Sequence, residues 1–167
     1  RYNMSKHLPE LLKSKPMSLV VSMPKNDPTL VRAAVEAGAD AIKVHVNLEH
    51  FASSSRFGNV QQEQDNITRI REITGERPLG AVPGVDPSTI EGCLDDLANL
   101  GISFLSIYLH HAPLAVLARE QPFDLMMAVG EAHALDDVRG LRQLGVRVLE
   151  ASIQPHSAYG SRATVLD

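Results

Sequence analysis

The sequence lacks the features that mark several classes of protein. It has one cysteine in 167 residues, which excludes an internal disulfide and any site built from several cysteines. Tryptophan is absent and aromatic residues make up 4% of the chain, so aromatic platforms that stack bases or sugars are not expected. The net charge is −4 without a basic run, which argues against nucleic-acid binding. No apolar run is long enough to span a membrane.

What is present is the composition of an ordinary globular domain. Hydrophobic residues make up 44% of the chain and charged residues 22%. The length predicts a single domain over 1–167. The first residues, Arg1-Tyr2-Asn3-Met4, do not resemble a signal peptide, and with so little cysteine the expected location is cytoplasmic.

Short apolar runs alternate with amphipathic segments along the chain. The runs are nearly continuous in hydrophobicity, which is typical of parallel strands that are buried on both faces. They cover 17–23, 40–46, 79–82, 103–109, 124–129 and 146–153. Helical spacing of apolar residues predicts helices at 29–37, 88–100 and 135–144. A leading helix at 7–13 is expected to close the bottom of the fold.

The helices share their start and stop signals. Asp27 and Asp86 each precede a proline, and aspartate caps a helix start while proline fits the first turn. Gly38, Gly101 and Gly145 follow the three helices, where a left-handed residue ends a helix. A strand follows each glycine almost at once, so the βα unit repeats along the chain.

This rhythm predicts an α/β fold, a TIM-type barrel with about six of its eight βα units in this chain. Such barrels run to about 250 residues, so the last βα units are expected to be missing from the sequence. The competing fold is a six-stranded doubly wound sheet. That fold usually has a glycine-rich loop after its first strand, whereas residues 23–28 contain no glycine.

Polar residues concentrate at the carboxyl ends of the predicted strands, where both folds place their sites. Six of the seven histidines fall at or just after these ends, namely His45, His50, His110, His111, His133 and His156. This segregation predicts a functional site at that end of the sheet.

Lys43 and Glu150 are the principal catalytic candidates. Lys43 lies within an apolar strand, and alternation points it to the same side as His45. Burial lowers the pKa of a lysine, which suits a general base or a Schiff-base nucleophile. Glu150 also lies among apolar residues and needs a cation as partner. The two side chains either form an acid/base pair around a substrate carbon or only neutralise each other.

The histidines and carboxylates also allow a divalent-metal site as the alternative. The candidate ligands come from several strand ends and are His45, His110, Glu131, His133 and Glu150. They form no short diagnostic motif, and the preferred interpretation is that the histidines form hydrogen bonds with substrate hydroxyls or with each other.

Two polar loops are candidates for binding an anion. Residues 47–59 and 156–162 follow strand ends, and each contains serines, a glycine and an arginine, which suit a phosphate or carboxylate. The predicted substrate- or phosphate-binding residues are Lys25, Asn47, Arg56, Gly84, His156 and Arg162. Long polar loops are otherwise simply solvated.

Three segments resemble the phosphate-binding TIM barrels of the ribulose-phosphate-binding type. They are AAVEAGADAIK at 33–43, LGAVPG at 79–84 and LGI at 100–102. That superfamily includes ribulose-phosphate epimerase, indole-glycerol-phosphate synthase, thiamine-phosphate synthase and N-acylglucosamine-6-phosphate 2-epimerase. The resemblance covers most of the chain as architecture and implies sugar-phosphate chemistry.

The sequence departs from that superfamily at three places. The superfamily's phosphate site lies in glycine-rich loops after strands seven and eight, and this sequence ends before them. The decarboxylase branch carries Asp-x-Lys-x-x-Asp, which residues 40–43 do not match. In the related keto-acid aldolases, the Schiff-base lysine stands where this chain has Glu150.

These observations predict an isomerase, epimerase or lyase that acts on a small phosphorylated sugar or keto acid. In this prediction Lys43 and Glu150 move a proton next to the substrate carbonyl, or Lys43 forms an imine with that carbonyl. His45 and His110 polarise oxygen atoms of the substrate. No cofactor is favoured, and the expected partner is a small anionic substrate. One rival is a metal-dependent isomerase or hydrolase, and the other is a barrel that binds a ligand without catalysis. A homo-oligomer is left open.

Overall fold

The computed structural model describes residues 7–50, 53–118, 122–130 and 133–152. In chain order the elements are α1 (Leu8–Ser14), β1 (Val20–Ser22), α2 (Pro28–Glu36), β2 (Ala41–His45), β3 (Glu49–His50), β4 (Ser55–Arg56), α3 (Val60–Thr74), β5 (Leu79–Val82), α4 (Pro87–Gly92), α5 (Leu94–Asn99), β6 (Phe104–Tyr108), α6 (Ala115–Ala118), β7 (Asp124–Val129), α7 (Leu135–Leu141) with the 3-10 turn Arg142–Leu144, and β8 (Val148–Ala151). Within these ranges no helix is long and apolar enough to cross a membrane.

Six of the strands form one parallel sheet in the order β1-β2-β5-β6-β7-β8. Each of these six strands therefore pairs with the next one of the six along the chain. A doubly wound sheet reverses its strand order at a switch point, so that competing prediction is wrong. The sheet curls into a half-barrel, as the alternation of strands and helices predicts. The remaining two strands, β3 and β4, form a small antiparallel hairpin.

The two faces of the sheet bury different residues. Ile42 and Val44 of β2 face outward and pack in a core shared with the helices, together with Val31 of α2 and Ile67 of α3. Ala41 faces inward and belongs to a second core with four other buried residues, Leu8, Phe104, Met126 and Val148. Alternation along the strands therefore separates an outer helical layer from the inside of the half-barrel.

Helix α1 fills the bottom of the half-barrel, as predicted for the leading helix. Leu8 is fully buried in the inner core. The Leu8 amide donates to the carboxylate of Asp124 at 3.0 Å. Arg147 then joins the helix to β8, with one nitrogen 3.3 Å from Glu10 and another 3.1 Å from Asp124.

The predicted helix signals are confirmed. The Asp27 side chain accepts the Thr29 amide, and the Asp86 side chain accepts the Thr89 amide. Gly38, Gly101 and Gly145 have φ of 100°, 77° and 85°, a region that glycine enters without steric cost.

Three local features differ from the prediction. Helix α3 was not predicted, because only four of its 15 residues are buried and its apolar stripe is narrow. The 47–59 loop contains the β3–β4 hairpin. The helix predicted at 88–100 breaks at Cys93, directly after Gly92, where a Cys93 N–H to Ile90 O bond tightens the last turn of α4.

Gly80 is required by the packing of Phe104. A β-carbon on Gly80 would lie 2.2 Å from the ring of Phe104, which is fully buried. Gly80→Ala is therefore expected to destabilise the fold by about 2 kcal/mol and to lower Tm by roughly 4–8 °C. Gly140→Ala in α7 is the matched control, since no atom lies within 4 Å of its added methyl group. Thermal unfolding checks both variants, and an unchanged Tm for Gly80→Ala would contradict this packing.

Candidate active site

Lys43 places an ammonium group inside the half-barrel. Its neighbours Ile42 and Val44 lie in the outer core, so the strand alternation turns Lys43 and His45 inward. Lys43 is only 7% exposed. A buried lysine of this kind requires a partner, because removing its charge from water is costly.

Glu150 and Ser106 supply that partner. Lys43 Nζ lies 2.9 Å from Oε1 and 2.8 Å from Oε2 of Glu150, and 3.3 Å from Ser106 Oγ. Ser106 in turn donates to Glu150 Oε2 at 2.7 Å. Strands β2, β6 and β8 thus bring together three side chains that are far apart in sequence. The structure pairs Lys43 with Glu150, as the sequence predicts.

Opposing effects act on the Glu150 carboxyl group. Burial raises its pKa. The charge of Lys43 and the hydrogen bonds from Lys43 and Ser106 together lower the pKa by more than burial raises it, so the net pKa lies below the ordinary value. Glu150 is thus an ionised carboxylate at neutral pH. Its side chain keeps 41% exposure, so the pair remains accessible from the solvent.

His45 is a neutral, enclosed imidazole. It is 1% exposed, and its Nε2 lies 3.2 Å from Ser22 Oγ, whereas Nδ1 has no hydrogen-bond partner among the described residues. Its ring packs 4.4 Å from the ring of His50 and 4.8 Å from that of Phe57. Burial, with smaller contributions from His50 and Lys43, lowers the pKa of His45 to about 3.

Asn26 fixes the end of β2 to the loop after β1. Asn26 Nδ2 donates to the His45 carbonyl at 2.7 Å and to Glu63 at 3.0 Å, while Asn26 Oδ1 accepts the His45 amide at 3.2 Å. The side chain is 5% exposed. Sequence reasoning missed Asn26, Ser22 and Ser106 as site residues. The one available signal was that Ser106 interrupts an apolar strand.

Three further histidines, His110, His111 and His133, form an aromatic cluster with Tyr108. His110 stacks on His133 with ring centroids 5.8 Å apart, and His111 and Tyr108 pack beside His110. The Gly130 amide donates to His133 Nδ1 at 3.1 Å, which orients that ring. His110, a predicted catalytic residue, is thus grouped with His111 and His133, and its catalytic role stays a prediction.

The predicted metal ligands do not form a cluster in the described part of the chain. Across 7–50, 53–118, 122–130 and 133–152, no three His, Cys, Asp or Glu side chains are arranged to hold a metal ion. Glu131 lies outside these residues. Glu150 is engaged by Lys43, and His45 by Ser22. The divalent-metal alternative stays a prediction.

The predicted anion-binding residues fall into two groups. Lys25 and Arg56 line one cleft of about 490 Å³ beside the β3–β4 hairpin. Asn47 and Gly84 instead shape the backbone. Asn47 has φ 58° and donates to the Pro83 carbonyl at 3.1 Å, and Gly84 has φ 129°. His156 and Arg162 lie outside the described residues.

Solved structures of similar fold are TIM-barrel-type proteins. A protein described as a phosphonomutase, from Burkholderia cenocepacia J2315, matches with a TM-score of 0.60 and 14% identity over 84% of this chain and 64% of its own. Sialic acid aldolase from Ruminococcus gnavus matches with a TM-score of 0.58 and 11% identity over 83% and 55%. A 2,3-dimethylmalate lyase of the PEP mutase/isocitrate lyase superfamily matches with a TM-score of 0.56 and 16% identity over 85% and 59%.

These likenesses establish the fold alone, because the identities are low. The chain spans 55% to 64% of the length of the three structures. No protein-family model matches the sequence, and neither does any curated protein. Membership of the ribulose-phosphate-binding superfamily therefore stays a prediction.

Proposed function

We propose that this chain carries the catalytic pair of an isomerase, epimerase or lyase that acts beside the carbonyl of a small anionic sugar or keto acid. The observation that carries the proposal is the Lys43 ammonium held by both oxygens of Glu150 inside a half-barrel. The aldolase and the lyase among the similar structures support chemistry of this type.

The pair combines one acid and one base at a single point. The Lys43 ammonium polarises the substrate carbonyl, and a Glu150 oxygen takes the proton from the adjacent carbon to leave an enolate. Glu150 Oε2 accepts from both Lys43 and Ser106, whereas Oε1 accepts only from Lys43 among the described residues. Oε1 is therefore the better placed to accept the proton. Return of the proton gives isomerisation or epimerisation.

The same groups serve a lyase. Glu150 then takes the proton of a hydroxyl group while the adjacent carbon–carbon bond breaks, and Lys43 stabilises the enolate that forms. His45 is too enclosed to touch a substrate at 1% exposure. We assign its imidazole as a positioning group that holds the end of β2 against Ser22.

Exchange of substrate protons with solvent tests this proposal directly. The protein is incubated in D₂O with a panel of pentose, hexose and amino-sugar phosphates and α-keto acids, and NMR follows the proton beside each carbonyl. At least one compound is expected to exchange. Glu150→Gln is expected to slow that exchange by about 10²-fold, because it removes the general base.

Asp40→Asn is the matched control for Glu150→Gln. Asp40 is also a carboxylate bound to a lysine, Lys15, but it directly precedes β2 at the amino-terminal end of that strand. Its substitution is expected to leave the exchange rate unchanged. The proposal fails if no compound exchanges, or if Glu150→Gln exchanges as fast as the unmodified protein.

A further inference from the structure

A polar cleft of about 490 Å³ lies beside the β3–β4 hairpin, and neither Lys43 nor Glu150 lines it. The loop after β1, the β3–β4 hairpin and the start of α3 form its walls. Phe57 lies at the edge of the cleft and is buried, with its ring 4.8 Å from the His45 ring. The volume falls within the range of small-molecule binding sites.

Within the part of the chain that the structure describes, the two cations of the cleft form no ion pair, whereas its two carboxylates accept hydrogen bonds. Lys25 and Arg56 are exposed and form no ion pair with any residue that the structure describes. Glu49 stands opposite Arg56 in the hairpin without pairing with it. Asp27 accepts the Thr29 amide at 2.8 Å, and Glu63 accepts from the Gly58 amide and the Asn26 side chain, each at 3.0 Å.

The walls of the cleft are fixed by hydrogen bonds. Asn26 holds the loop after β1 to the His45 backbone and to Glu63 at the start of α3. Ser53 donates to the Pro24 carbonyl at 3.4 Å and so links the hairpin to the same loop. A site whose walls are already ordered loses little conformational entropy when a ligand binds.

We propose that this cleft binds the oxyanion of a polyhydroxylated small molecule, either a sugar phosphate or a sugar acid. Lys25 and Arg56 neutralise the oxyanion, which is the group that unpaired cations recognise. Ser54, Ser55 and Asn66 line the same cleft and offer hydrogen bonds to hydroxyl groups. The site stands independently of the catalytic proposal, since neither requires the other.

Calorimetric titration of the whole chain tests the site with glucose 6-phosphate, gluconate, glucose and inorganic phosphate as probes. One of the two sugar anions is expected to bind at least tenfold more tightly than glucose and than inorganic phosphate. Lys25→Gln and Arg56→Gln are each expected to weaken that binding by about tenfold. Added salt is expected to weaken it as well, because the site is exposed.

Two variants serve as controls. Arg32→Gln removes an exposed cation of α2 and Lys13→Gln removes one of α1, and neither residue lines the cleft. Both are expected to bind the sugar anion as tightly as the unmodified protein. The proposal is overturned if neither sugar anion binds, if inorganic phosphate binds as tightly as the sugar anions, or if Lys25→Gln and Arg56→Gln bind normally. The proton-exchange experiment tests the Lys43–Glu150 pair, and neither residue lines the cleft, so the two proposals fail separately.

Discussion

Lys43→Met is expected to lower kcat/KM by about 10³-fold or more on the substrate found by proton exchange. The substitution removes the group that stabilises the enolate and leaves the Glu150 carboxylate without its cation. Without Lys43, burial raises the Glu150 pKa and weakens the driving force that keeps the base ionised. Steady-state kinetics measure the loss, and circular dichroism confirms that the variant is folded.

Lys15→Met is the matched control for this substitution. Lys15 also pairs with a carboxylate, that of Asp40, but at the amino-terminal end of β2. Turnover is expected to be unchanged in Lys15→Met. A Lys43→Met variant that stays as active as Lys15→Met would remove Lys43 from the mechanism.

Lys43→Arg separates proton transfer from imine formation. Arginine keeps the positive charge and the carboxylate partner but cannot form a Schiff base. Partial activity in Lys43→Arg is expected from the proton-transfer mechanism. Borohydride added with substrate provides the second readout, since it reduces an imine and leaves a permanent mass increase on the Lys43 peptide. That mass increase, with an inactive Lys43→Arg, would establish the imine route instead.

Acidification from pH 6.5 to pH 4.5 is expected to lower the free energy of unfolding by about 2–3 kcal/mol through His45 alone. The unfolded chain binds a proton on His45 with the ordinary pKa of 6.5, whereas the folded protein does so only near 3. Between these values the unfolded state holds more protons, so stability falls as the pH falls. Urea unfolding at several pH values measures the slope.

His45→Gln is expected to flatten that slope by about 1.4 kcal/mol per pH unit, because glutamine does not titrate. His50 adds to the slope in the same direction, since burial and the charge of Lys43 lower its pKa too. Glu150, whose pKa is lowered, changes the slope of stability with pH below the ordinary glutamate pKa of 4.5. An unchanged slope in His45→Gln would show that the folded protein binds a proton on His45 as readily as the unfolded chain does.

The fold was readable from the sequence because its signals are local. Apolar runs marked each strand of the parallel sheet, and Asp27 and Asp86 marked the helix starts that the structure confirms. Helix α3 was missed because its length comes from polar residues, with the Asn59–Gln62 capping box as its main local signal. Propensity and capping at Asn59 could have found it, whereas periodicity could not.

The site was only partly readable, because its contacts join distant residues. Lys43 and Glu150 are 107 residues apart, and their pairing was inferred because each charge lies in an apolar strand. Ser106 and Asn26 carry no charge, so nothing in the sequence required a partner for them. Their roles follow from strand register and loop position, which only the folded chain fixes.

The docking of α1 sets the order in which the chain can complete its fold. The contacts of Leu8 with Asp124 and of Glu10 with Arg147 join residues 116 and 137 positions apart. Such long-range contacts form late, since a long loop must close first. On a ribosome, the helix waits on the order of ten seconds before Arg147 is made, at about 5–20 residues per second. Until then Ala41, Phe104 and Met126 are available to surround Leu8, but Val148 is missing from the inner core and α1 is not yet joined to Arg147.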